Sequence, residues 1–250
     1  MDGDIVFDHV SFAYEGCTEV LHDISFRMPA GSTLGILGGT GSGKTTLMLL
    51  LDKMYELPEN CGTISIGGTD IRNIKTGWLR SNIGMVLQEP FLFSRSLREN
   101  LLIASDDVST EAMRDAAAAA CLDETVQSFT NGYETFVGER GVTLSGGQKQ
   151  RAAIARMLTR NTPIMVFDDS LSAVDTETDA RIRKSLESRF GSASIILISH
   201  RITTLSKADL IIVLDDGRIA EQGTHEELCR ADGIYRRINE IQANSKETVS

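Results

Sequence analysis

Apolar residues along this chain recur with two different periods. Between residues 4 and 36 they come in short runs, Ile5-Val6-Phe7, Val10-Ser11-Phe12, Val20-Leu21 and Ile24-Ser25-Phe26, with turn chemistry at Glu15-Gly16 and Pro29-Ala30-Gly31. Brief apolar runs bounded by turn residues predict strands. Leu34-Gly35-Ile36-Leu37 predicts a further strand that leads straight into a glycine-rich segment. From Thr45 the period lengthens. Leu47, Leu50, Leu51 and Met54 are spaced i, i+3, i+4, i+7, which predicts a helix that Pro58 should stop. Strand character returns at 60–72 around Ile64 and Ile66, residues 96–131 read as mostly helical, and 148–158 as another helix. Pro163 opens a strand, Ile164-Met165-Val166-Phe167, that ends at Asp168-Asp169. Helix–strand alternation continues through 176–190, 194–198, 210–214 and 225–238, and the polar tail 239–250 is expected to fray. Such alternation predicts parallel strands covered by helices.

Composition changes this picture little. With 250 residues, 41% hydrophobic and 24% charged, the chain can bury a full core. Its 35 acidic and 25 basic residues give a net charge of −10, which argues against nucleic acid as the main partner. No apolar run approaches the roughly 20 residues that span a bilayer. The longest, Ile195-Ile196-Leu197-Ile198 and Leu210-Ile211-Ile212-Val213-Leu214, have strand length, and no secretory leader opens the sequence. The chain is therefore expected to be soluble as given, with any membrane connection made through a partner or a missing segment. Cys17, Cys61, Cys121 and Cys229 stand singly, which speaks against zinc or dithiol chemistry and for reduced thiols. His225 and Cys229 share a face of a predicted helix, but two ligands make a poor metal site. The alanine run 116–120 is expected to serve close helix packing, and Trp78 to pack.

Two motifs carry chemistry. Gly38-Gly39-Thr40-Gly41-Ser42-Gly43-Lys44-Thr45 fits G-x-x-x-x-G-K-[ST] and lies between a predicted strand and a predicted helix. Glycines let successive backbone N–H groups converge on phosphate oxygens, and the helix adds its positive end. Lys44 is expected to reach the β- and γ-phosphates, and the Thr45 hydroxyl to bind Mg²⁺. Asp168 ends a continuous apolar strand, where a carboxylate can hold the same ion through its water shell; a helix-capping role is the alternative. About a hundred residues after the loop, Leu144-Ser145-Gly146-Gly147-Gln148 precedes a helix and makes a second anion-binding N-terminus. Two phosphate-binding surfaces on one chain are useful together when two chains face each other head-to-tail.

At this point the chain resembles the nucleotide-binding domain of an ABC transporter, from about residue 4 to 238. The resemblance implies an α/β fold: a P-loop NTPase (RecA-like) core, an N-terminal antiparallel β-subdomain at about 4–35 and 60–72, and an inserted α-helical subdomain at about 92–150. It implies ATP and Mg²⁺ as ligands, with the nucleotide held by Tyr14 stacking on adenine, by Gly38 through Thr46, and by Ser145, Gly146, Gly147, Gln148 and Asp175. Gln88, in Met85-Val86-Leu87-Gln88-Glu89-Pro90, matches the glutamine loop and joins Thr45 and Asp168 as a metal residue. His200 matches the switch histidine, and Ser172-Ala173-Val174-Asp175 matches the loop after Asp168. Phe136-Val137-Gly138-Glu139-Arg140-Gly141 and the segment from Phe91 to Asn100 resemble the exporter branch, whose membrane domains dock at these surfaces. Phe91, Leu92 and Phe93 are read either as docking patch or as core.

One position departs from the pattern. The catalytic carboxylate that follows Asp168 is usually glutamate in the family, and here it is Asp169. The resemblance then points to the degenerate half of a heterodimeric exporter. Such a domain works at the cytoplasmic face of a membrane, beside a non-identical nucleotide-binding domain and the transmembrane domains. It binds ATP but turns it over slowly, with Gln88, Asp169 and His200 as its catalytic residues. An importer ATPase subunit, a nucleotide-gated module with negligible hydrolysis, and a DNA-repair or translation ATPase are the competing readings.

Overall fold

The computed structural model describes residues 3–103, 107–138, 143–170 and 174–247. Its strands are β1 (Ile5–Ala13), β2 (Glu19–Met28), β3 (Thr33–Gly38), β4 (Thr63–Ile66), β5 (Thr69–Asp70), β6 (Ile83–Val86), β7 (Ile164–Asp168), β8 (Ser194–Ile198), β9 (Leu210–Asp215) and β10 (Arg218–Gly223). Its helices are α1 (Lys44–Leu51), α2 (Thr76–Asn82), α3 (Leu97–Leu102), α4 (Thr110–Ala119), α5 (Asp123–Gln127), α6 (Gly146–Leu158), α7 (Thr176–Phe190), α8 (Ile202–Leu205), α9 (His225–Arg230) and α10 (Ile234–Glu247). The chain divides into two compact units. One comprises 1–83, 163–168 and 192–250; the other comprises 84–162 and 169–191.

The first unit carries two sheets. An antiparallel sheet runs β2-β1-β4-β5. The four runs read from the sequence merge here into two strands. His9 and Asp23 adopt left-handed backbone (φ 52 and 55) where the β1–β2 register shifts, and their side chains join through His9 Nδ1 and Asp23 Oδ1 at 2.6 Å. Each strand therefore continues through a bulge that looks like a break in the sequence.

The other sheet runs β10-β9-β3-β8-β7, with β3, β9, β8 and β7 parallel and β10 antiparallel on the edge. Every residue of β7 is buried, and β3, β8 and β9 are buried along most of their length, as a parallel sheet covered on both faces requires. Helix α1 buries Leu47, Met48, Leu50 and Leu51, each worth about 2 kcal/mol. It ends at Leu51, well before Pro58, because Lys53 turns left-handed (φ 53), and Met54 is left exposed. The polar residues expected to fray continue α10 to Glu247. Trp78, expected to pack, is exposed.

In the second unit α6 packs against α3 and α4. Ala116, Ala117, Ala119 and Ala120 are buried, so the alanine run does serve close packing. The described residues of 96–131 are mostly helical, as expected, in α3, α4 and α5. Among the described residues no helix is long and apolar enough to cross a membrane.

Candidate active site

Parallel strands present their carboxyl ends together, and an open α/β sheet binds ligands there. In the first unit β3, β8 and β7 are neighbours, with Ile36 and Asp168 both in register with Ile198. Their ends therefore deliver the glycine loop, His200 and Asp168 to one edge. The loop needs its glycines: Gly41 and Gly43 have φ 82 and 97, and a Cβ on Gly43 would lie 2.5 Å from Leu21 Cδ2. Gly39, Thr40 and Gly41 are exposed, whereas Ser42 and Gly43 are buried beneath them.

Lys44 folds back over this loop. Its ammonium donates to the carbonyls of Gly38 (2.8 Å) and Gly39 (2.6 Å), which holds a positive charge where the loop N–H groups gather. Thr45 Oγ1 donates to Asp168 Oδ2 at 3.2 Å. This hydroxyl and a nearly buried carboxylate are hard oxygen donors of the kind Mg²⁺ prefers, so the two residues fit that ion. Tyr14 is half-buried, meets Phe12 and Tyr55 edge-on, and shares a 2.9 Å hydrogen bond with Thr46 Oγ1. The Thr46 hydroxyl is thus engaged with Tyr14. His200 follows β8 and is exposed.

The remaining expected site residues lie in the second unit. Gln88 is exposed just after β6, and its carbonyl accepts from Gln150 Nε2 at 3.4 Å. Ser145 caps α6 in a capping box: its hydroxyl accepts from Gln148 N–H, while Gln148 Oε1 accepts from Ser145 N–H at 2.8 Å. Gly146 and Gly147 form the first turn, so the side chain of Gln148 is committed to the cap and the exposed hydroxyl of Ser145 keeps its proton to donate. Asp169 adopts left-handed backbone (φ 44), a conformation in which aspartate is enriched. Asp175 caps α7, and the N–H of Thr178, aided by its hydroxyl, holds the carboxyl below the usual range. Glu139, Arg140, Gly141, Ser172 and Ala173 lie outside the described residues.

Phe91 and Phe93 are 70% and 40% exposed and stack edge-to-face, so neither belongs to the core. Residues that the motifs do not reveal hold them in place. Asn100, fully buried, accepts from Phe93 N–H and donates to the carbonyls of Phe93 and Ser96, while Arg156 donates to the Phe91 carbonyl. The only sequence signal was a polar residue at a core position of a helix. Asn100→Ala would strand the Phe93 N–H, since the Phe93 and Ser96 carbonyls keep the N–H groups of Arg95 and residue 100, and is expected to cost about 2 kcal/mol, read as a lowered denaturant midpoint. A loss below about 0.5 kcal/mol would show that the Phe93 segment is held otherwise.

Residues 21–172 match the family model described as ABC transporter. The chain is 40% identical over 242 residues to the ATP-dependent lipid A-core flippase of Sodalis glossinidius, a match covering 96% of this chain and 41% of the flippase. To the mouse ATP-binding cassette sub-family B member 10, mitochondrial, it is 41% identical over 247 residues, covering 96% of this chain and 34% of that one. A solved structure of a bacterial Atm1-family ABC exporter with ATP bound is similar at a TM-score of 0.93 and 40% identity, over 97% of this chain and 42% of that chain. The chain thus spans only about two fifths of the length of such relatives. With that match, and with the loop, the strand-end aspartate and the capped LSGGQ helix in place, the chain belongs to the ABC transporter family, as a nucleotide-binding domain whose relatives are ABC exporters.

Proposed function

We propose that this chain is the ATP-binding and ATP-hydrolysing motor domain of an exporter, closing head-to-tail on ATP against a second, non-identical nucleotide-binding domain. The observation that carries the reading is the pairing within one chain of a lysine-covered glycine loop and a serine-capped LSGGQ helix. Each recognises phosphate, and opposed chains would let the loop of one and the Ser145 segment of the other grip the same triphosphate. In this reading residues of about 4–35 and 60–72 form the antiparallel subdomain, about 92–150 the helical subdomain, and the rest the nucleotide core. Phe91, Leu92 and Phe93 form an apolar dock for the membrane-spanning partner at the cytoplasmic face.

The loop N–H groups and Lys44 bind and orient the β- and γ-phosphates, and Tyr14 stacks on the base. Thr45, Asp168 and Gln88 would hold Mg²⁺, which supplies charge neutralisation on the phosphate oxygens. Asp169 orients the attacking water and accepts its proton, and His200 contacts the γ-phosphate. Aspartate reaches about 1.5 Å less far than glutamate, so the site built from this chain is slow while its Ser145 segment completes a competent site on the partner.

Mixing the chain with a glutamate-bearing partner tests this reading. Ser145→Ala here is expected to lower ATP turnover of the pair by about a hundredfold or more, the cost of losing one transition-state donor. Turnover that ignores Ser145 in a pair that still binds ATP would reject head-to-tail completion.

A further inference from the structure

The polar end of the chain is built into the site. Helix α10 is fixed at its start by Glu221 of β10, whose carboxylate accepts from the N–H groups of Ile234 and Tyr235. Tyr235 is fully buried, and its hydroxyl pairs with His225 Nδ1 at 2.8 Å. Seven residues after Tyr235, on the same face, Gln242 presents its amide to the segment that follows β8. Gln242 Nε2 donates to the His200 carbonyl at 2.6 Å, and Gln242 Oε1 accepts from Ile202 N–H at 2.9 Å. Arg201, the residue before α8, provides no side-chain cap, so an amide from forty residues away supplies one. On the other side, Ser199 N–H donates to the Ile36 carbonyl of β3 at 3.2 Å. The backbone on both flanks of His200 is therefore tied while its imidazole is exposed.

We propose that Gln242 is a positioning residue for His200, its amide fixing the peptide groups that aim the imidazole at the nucleotide. The inference rests on the role given to His200 above. A group displaced by about 1 Å can lose up to a hundredfold in rate, and releasing the Gln242 ties while Ser199 still holds the Ile36 carbonyl and the Arg201 N–H should displace His200 by less than that.

The test reads Mg-ATP turnover of the 250-residue chain paired with a nucleotide-binding domain whose own catalytic glutamate is replaced by glutamine, so that the signal comes from the site built here. Gln242→Leu keeps the bulk and removes both bonds; Gln242→Glu keeps the acceptor for Ile202 N–H and removes the donor to His200. Both are expected to lower kcat about tenfold, with KM for ATP changed less than twofold. In a His200→Ala background neither should lower it further. In ¹⁵N-histidine-labelled protein the His200 ring signals should shift or broaden, while those of His9 and His22 stay put. Unmoved His200 signals, or a loss that adds to that of His200→Ala, would reduce Gln242 to a helix cap and overturn the proposal alone. A His200→Ala chain that turns over normally would overturn the role of His200 and the proposal with it. The ring signals would still report whether the amide holds that segment.

Discussion

Replacing Lys44 by methionine is expected to weaken Mg-ATP binding about a hundredfold and to bring hydrolysis below detection. Lys44 Nζ is already drawn to the mouth of the loop by the carbonyls of Gly38 and Gly39. A triphosphate arriving there meets a fixed charge. Two unit charges about 4 Å apart near a protein surface attract by about 4 kcal/mol, and desolvating the ammonium takes back part of that. A net of about 2.7 kcal/mol corresponds to the hundredfold change. Methionine matches the length of the lysine stem, so the loop and α1 should stay folded, which an unchanged melting temperature without nucleotide would verify. Lys44→Arg is expected to restore little, since a planar guanidinium cannot sit as a point donor between two carbonyls. Isothermal titration decides the matter. Affinity within threefold of the parent chain would remove the loop from the nucleotide site.

The parts of the site that sequence made legible are those whose chemistry is local. Gly38 to Thr45 can be read because the backbone itself binds, and the φ values of Gly41 and Gly43 are ones that other residues rarely adopt. Asp168 can be read because a fully buried apolar strand ends on it. Ser145 and Gln148 carry a capping-box spacing, so the start of α6 could be placed closely. What escaped depends on contacts far apart in the chain. The bulges at His9 and Asp23 turn on non-glycine residues in left-handed backbone, joined to each other across two strands. The end of α1 is set by Lys53, whose ammonium donates to the distant Ile74 carbonyl at 2.9 Å, not by the more conspicuous Pro58. Asn100, Gln150 and Gln242 look like ordinary helix polarity until the backbone groups they satisfy are seen. The helical nature of 239–247 was hidden for the same reason. Its composition is polar, and its order comes from Glu221, Tyr235 and Gln242 rather than from a wide apolar face.

Asp169→Glu is expected to raise ATP turnover at the site built from this chain by about tenfold to a hundredfold. The added methylene carries the carboxylate about 1.5 Å further out, and an ångström of misplacement is worth about a hundredfold in rate. Because the group acts on water rather than on the nucleotide, KM for ATP should change less than twofold. The gain has a structural cost with a definite sign. Asp169 sits at φ 44, where aspartate is tolerated and glutamate less so. The variant should therefore be less stable by up to about 1 kcal/mol, seen as a melting temperature a few degrees lower. Asp169→Asn separates a weak base from an inert one. A further fall in turnover shows that the aspartate already handles the water's proton, and a rate equal to the parent's shows that it does not. A rate that rises while stability falls is a signature that general tightening of the fold would not produce. If glutamate leaves the rate unchanged in a pair that still binds ATP, the short carboxylate is not what limits this site. The slow-site reading would then lose its physical basis, while the loop, the capped helix and the family to which they belong would stand.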